Sequence, residues 1–98
     1  MHLIYHPDAE AELTESAQFY EERLPTLGGQ FLDAFESAIR EIQNSPRRWR
    51  VVESDVRIHL LSKFPFSIYF RVTPDQIRIL AIKHHSRHPD YWRGRLAD

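Results

Sequence analysis

The run Ser67-Ile68-Tyr69-Phe70-Arg71-Val72, the Pro74-Asp75 pair after it, and Ile77-Arg78-Ile79-Leu80-Ala81-Ile82-Lys83 decide the fold. Two apolar, β-rich segments on either side of a proline–aspartate turn read as two adjacent strands. The second is apolar almost without interruption, which marks a central strand covered on both faces. Upstream, Val56, Ile58 and Leu60 alternate with Arg57, His59 and Leu61. This two-residue rhythm predicts a half-buried strand, and Lys63-Phe64-Pro65-Phe66 is the bend after it. Further back the period lengthens. Phe31, Phe35, Ala38, Ile39 and Ile42 step by three or four, as do Ala9, Leu13, Ala17, Tyr20 and Leu24. Each set is one stripe of an amphipathic helix.

Pro7 fits the first turn of the earlier helix, where a missing N–H costs nothing. Pro25 ends that helix and pushes Leu24 out of α geometry. The linker Pro25-Thr26-Leu27-Gly28-Gly29 is short enough to fold the two helices into a hairpin. Asn44-Ser45-Pro46 closes the second helix, and Arg47-Arg48-Trp49-Arg50 reads as a loop. Leu3 to Tyr5 makes a short first strand, and Pro89-Asp90-Tyr91-Trp92 a possible helical turn near the end. The fold class expected is α+β in two layers. An N-terminal strand and an α-helical hairpin pack on a small sheet completed by three C-terminal antiparallel strands.

The 98 residues, 42% hydrophobic and 28% charged, suit one globular domain over 1–98. There is no cysteine, which excludes disulfides, thiolate metal sites and cysteine nucleophiles. No apolar run reaches the ~20 residues of a membrane span. The first residues lack the pattern of a secretory signal, so a cytoplasmic location is expected. The net charge of −1 divides unevenly: residues 1–45 sum to −7 and residues 46–98 to +6. Either a basic face meets an acidic or polyanionic partner, or two acidic helices lie against a basic sheet.

Three stretches together resemble the RelE/ParE family of toxins from bacterial type II toxin–antitoxin systems. The first is Pro7-Asp8-Ala9-Glu10-Ala11-Glu12-Leu13 with Phe19-Tyr20 and Leu27-Gly28-Gly29-Gln30-Phe31. The second is Arg57 with Lys63-Phe64-Pro65-Phe66-Ser67-Ile68-Tyr69-Phe70. The third is Ile77 to His84, continuing to Arg87-His88-Pro89-Asp90-Tyr91-Trp92. The resemblance implies a plasmid-stabilisation type toxin that inhibits growth and is held in a hetero-oligomer by a cognate antitoxin. It implies one of two targets: DNA gyrase on the ParE-like side, or messenger RNA cut on the ribosome on the RelE-like side. A non-toxic relative that only binds antitoxin is a third outcome. The Phe-Pro-Phe bend and the Arg-His-Pro-Asp-Tyr-Trp tail look ParE-like. RNA-cutting members usually carry arginine early in the middle strand, where this chain has Ser67.

Cleavage through a ribose 2′-OH needs a base, a cation on the phosphorane and an acid for the leaving oxygen. The candidates for a metal-independent endoribonuclease are Arg57, His84, His85 and Arg87, with Glu53 the one carboxylate suited as base. Candidates for partner or target contact are Trp49, Arg57, Lys63, Arg71, Arg87 and Tyr91. The plainer alternative for Arg57 and Arg87 is an ion pair with the acidic helices. Trp92 reads as a core-closing ring presenting its N–H to a carbonyl. Trp49, between Arg48 and Arg50, reads equally as core or as a stacking surface. No cofactor is implied. No metal site is expected either, since His84 and His88 converge only on a helix and no matched ligands complete a set.

Overall fold

A computed structural model describes residues 1–97. The order is β1 (His2–Tyr5), α1 (Pro7–Arg23), α2 (Leu27–Asn44), β2 (Val51–Glu53), β3 (Val56–Leu60), β4 (Phe66–Val72), β5 (Gln76–His84) and a 3₁₀ helix (Arg93–Ala97). The strands form one sheet in the order β1-β5-β4-β3-β2, with β1 parallel to β5 and every other neighbour antiparallel. The helical hairpin covers one face, so the architecture is the expected two-layer α+β.

Four strands follow the hairpin, not three. The additional one, β2, is three residues long, too short to show a period in sequence. It exists because Val51 and Glu53 pair with Arg57 and Val56 across a tight turn, where Ser54 takes φ 51°. The second helix also begins earlier than its glycines suggest. Arg23 and Leu24 end α1 as Pro25 demands, with Leu24 extended at φ −154°. The Glu21 carboxylate then accepts the N–H groups of Thr26 and Gly28, both at 3.0 Å. Two orphan donors of α2 are thereby satisfied from the preceding helix, and Gly28 and Gly29 are absorbed into its first turn. At the other end, His6 caps α1 by accepting the Asp8 N–H at Nδ1, 3.0 Å away.

Ala9, Phe31, Phe35, Ala38, Ile39 and Ile42 meet Phe66, Ile68, Phe70, Ile77, Ile79 and Ile82 between the layers. Tyr20, Phe31, Phe64 and Phe66 pack there mostly edge-to-face, with centroids 5.0–6.2 Å apart. Leu24, expected on the buried stripe, is 56% exposed, because leaving the helix turns it off the stripe. The apolar run of β5 has a specific cause. Tyr69 pairs with Ala81 and Phe70 with Ile79, leaving Leu80 as an extra, bulged residue. Leu80 and Ala81 both join the cluster opposite the helices, and Ile82 returns to the helix side. That second cluster contains Val56, Tyr69, Leu80, Ala81 and Trp92, so the C-terminal segment lies over the outer face of the sheet.

Candidate functional site

Much of the positive charge is used internally. The Arg57 guanidinium donates from Nη1 to the carbonyls of Arg47 (3.0 Å) and Trp49 (2.7 Å), binding the loop after α2 and not an acidic helix. Arg71 forms a two-pronged pair with Asp55, at 3.0 and 3.1 Å. Arg93 pairs in the same way with Glu53, and also with Asp90 at 2.9 Å. The carboxylate suited by sequence to be a base is therefore already held by a guanidinium. Arg47, Arg48, Arg50, Lys63 and Arg87 have no ion pair among the described residues. Lys63 stands at φ 70° in the β3–β4 bend, and Arg87 lies 5.8 Å from the Tyr91 ring.

The strongest polar constellation was not singled out from sequence. Glu12, in α1, accepts the N–H of Ile82 at 3.0 Å, where β5 runs on past its pairing with β1. The same carboxylate takes both prongs of Arg95, at 2.8 and 2.6 Å, and Arg95 donates further to the Leu80 carbonyl at 2.9 Å. Both side chains are close to buried, at 12% and 10% exposure. Tyr91 joins them: its hydrogen bond to the Glu12 carboxylate, then burial, raises its pKa above the ordinary tyrosine value. The hydrogen bond to Glu12 likewise raises that of Arg95. No sequence signal links positions 83 residues apart; only the fold does.

Of the four residues proposed for catalysis, His84 and Arg87 share one groove, while Arg57 and His85 lie apart from it. His84, the last residue of β5, and His85, in the turn after it, contact opposite faces of the sheet. His84 meets the Phe66 ring edge-on at 5.0 Å and accepts the Ser86 N–H at Nδ1. His85 turns outward and is hydrogen-bonded through Nε2 to Ser67 Oγ, 2.9 Å away. Arg57 sits opposite Phe70 and His84 opposite Phe66, on the two strands that flank β4, so they are offset by four residues, roughly 13 Å along the strand direction, and by two strand spacings across it. What does gather on the outer face is Ser67, His85 and Lys83. Lys83 is directly opposite Ser67, buried, and donates to the carbonyls of His84 (3.3 Å) and Arg87 (3.2 Å). Next along β4, Tyr69 is stacked against Trp92 with centroids 5.5 Å apart, which brings the C-terminal segment over this face.

Trp92 is core, as its sequence context suggests, but among the described residues its indole N–H finds no partner, and neither does that of Trp49. The Trp49 ring carries the His59 imidazole at 3.9 Å and the Arg48 guanidinium at 4.7 Å. Tyr91, His84, Arg87, Phe19 and Glu15 line a groove of about 450 Å³ between α1 and the end of β5. Among the described residues, no group of three or more histidine or carboxylate side chains is placed to hold a metal ion. Nor is any helix long and apolar enough to cross a membrane.

A family model described as the ParE toxin of the type II toxin–antitoxin system parDE matches residues 3–89. Among solved structures, a chain of the chromosomal ParDE toxin–antitoxin system from P. aeruginosa is similar, with a TM-score of 0.76 and 26% identity. The similarity covers 86% of this chain and 95% of that one. No curated protein matches significantly.

Proposed function

From the premise that this chain belongs to the ParE toxin family of type II toxin–antitoxin systems, we propose that it arrests growth by inhibiting DNA gyrase and that a cognate antitoxin neutralises it. The observation that carries the choice of gyrase over RNA is the Ser67–His85 hydrogen bond. It occupies the place where the resemblance puts a phosphate-binding arginine in RNA-cutting relatives. A hydroxyl cannot bind a phosphorane as a guanidinium does. The other candidates for that duty are committed elsewhere, Arg57 to two carbonyls and Arg71 to Asp55. A toxin that acts by occupying a protein surface needs none of this chemistry.

Antitoxin capture is supported by the surface left over. The outer edge of β2 has no partner strand among the described residues, and Phe19, Leu24, Val51 and Leu60 are large apolar side chains left 45–56% exposed. An extended segment can add to the strand edge while an amphipathic one covers apolar positions on the hairpin. The competing RNA-cutting reading draws on buried Lys83 beside Ser67 and His85, and one experiment separates the two. Purified protein is added to gyrase with relaxed plasmid, and messages from briefly induced cells are mapped by primer extension. Loss of supercoiling with unaltered message ends is the expected result. New 5′ ends within codons and unaffected supercoiling would replace gyrase by RNA. Co-expression with the adjacent reading frame should restore growth and yield a stable complex.

A further inference from the structure

The loop Ser45–Arg50 has a structure that neither the family nor the proposed target accounts for. Ser45-Pro46-Arg47-Arg48 closes a turn in which the Arg48 N–H donates to the Ser45 carbonyl at 3.1 Å, with proline at its second position. Arg57 reaches across from β3 and fixes the carbonyls of Arg47 and Trp49. The backbone is thus held from inside while Arg47, Arg48 and Arg50 are all exposed, Arg47 with one long hydrogen bond to the Thr73 carbonyl at 3.5 Å and Arg48 over the Trp49 ring. Among the described residues no carboxylate lies within ion-pair distance of any of the three. The nearby acids are neutralised by other groups, Glu53 by Arg93 and Asp55 by Arg71.

We propose that this loop binds the phosphate backbone of duplex DNA, with Arg47, Arg48 and Arg50 as the contacts and Arg57 as the positioning residue. Three guanidinium forks within four residues suit a row of phosphates. The state of Trp49 separates duplex from single strand. An unpaired base needs an open aromatic face, and this ring already carries Arg48 and His59. The loop therefore offers charge without a stacking platform, which is a backbone contact and carries no sequence preference. The proposal does not depend on gyrase being the target.

The test is fluorescence anisotropy of a labelled 20-base-pair duplex titrated with the full chain at several salt concentrations. The comparison is with the triple variant Arg47→Ala, Arg48→Ala, Arg50→Ala, the triple Arg→Lys variant, and Arg23→Ala with Arg40→Ala on the helices as control. Each phosphate contact contributes ~0.9 to the slope of log K against log salt. The alanine triple should lower the slope by about 2–3 and weaken binding at least tenfold at ~0.1 M salt. The lysine triple should keep most of the slope, and the helix control should match the parent. Circular dichroism checks that the variants fold. No saturable binding by the parent, an equal loss in the helix control, or an unchanged slope in the folded alanine triple would overturn the proposal. So would displacement of the duplex by polyglutamate as effective as by unlabelled duplex, which would assign the loop to an acidic protein segment.

Discussion

Glu12 is the residue on which three separate parts of the chain converge. Its carboxylate ends the exposed edge of β5 at Ile82, fixes Arg95 and holds the Tyr91 hydroxyl. Removing Arg95 leaves the Glu12 carboxylate nearly buried without its counter-ion, and removing Glu12 leaves Arg95 only the exposed Asp8 carboxylate at 3.8 Å, which is the costly way to break such a pair. Glu12→Ala and Arg95→Ala should each lower the unfolding free energy by about 3 kcal/mol in urea titrations. The double variant should cost clearly less than the two losses added, because both remove the same interaction. Additive losses would mean that the two side chains stabilise independently. The sequence shows Glu12 only as one acid among several on α1. The distances that distinguish it arise from a contact across nearly the whole chain.

At the scale of elements, the hairpin α1–α2 is set by a close approach at Gly28. A Cβ built there would stand 2.6 Å from the Ala17 carbonyl oxygen and 2.9 Å from Glu21 Cβ. Backbone cannot yield as a flexible side chain can, so Gly28→Ala must spread the helices and loosen the Glu21 cap. A loss of roughly 1–3 kcal/mol is expected from such overpacking. Gly29, one residue on, has open space around its Cβ position, and Gly29→Ala should stabilise by up to about 1 kcal/mol through helix propensity. Thermal melts of the two variants should therefore move in opposite directions. The stripes of both helices were legible because a 3.6-residue period is a local property. The pair Gly28-Gly29 misled as a linker signal because its meaning lies in what faces Gly28. Strand β2 was illegible for the same reason: three residues carry no period, and only its partner makes it a strand.

For the whole molecule, burial is shared between two faces of one sheet, and it reaches the tyrosines. The pKa values of Tyr5, Tyr20 and Tyr69 are raised mainly by burial, and that of Tyr91 first by its hydrogen bond to Glu12. A raised folded pKa means that the native state keeps its proton where the unfolded state loses it. The resulting stabilisation is complete below the unfolded value of ~10 and is lost as pH rises through the folded values. Urea midpoints should therefore fall steadily above pH ~10, and Tyr91→Phe should make the decline shallower. A midpoint independent of pH in this range would contradict the placement of these rings. On the same scale, the charge asymmetry of the sequence does not become one open basic face. Arg57, Arg71, Arg93 and Arg95 are bound internally, and the arginines without a carboxylate partner concentrate in the loop after α2.

The sequence alone determined the helices, the last three strands and the two-layer arrangement, because periodicity and proline placement act over neighbouring residues and need no partner. The order of its motifs was also enough to indicate the toxin family. The tertiary structure alone decided the sheet order, the bulge at Leu80, the embrace of Glu12 and Arg95, and the separation of Arg57 from His84 and His85. It also decided which arginines have no carboxylate partner among the described residues. Each of these depends on distances between residues remote in the chain, and such distances are set by packing, in which a side chain's role follows from what the fold places beside it.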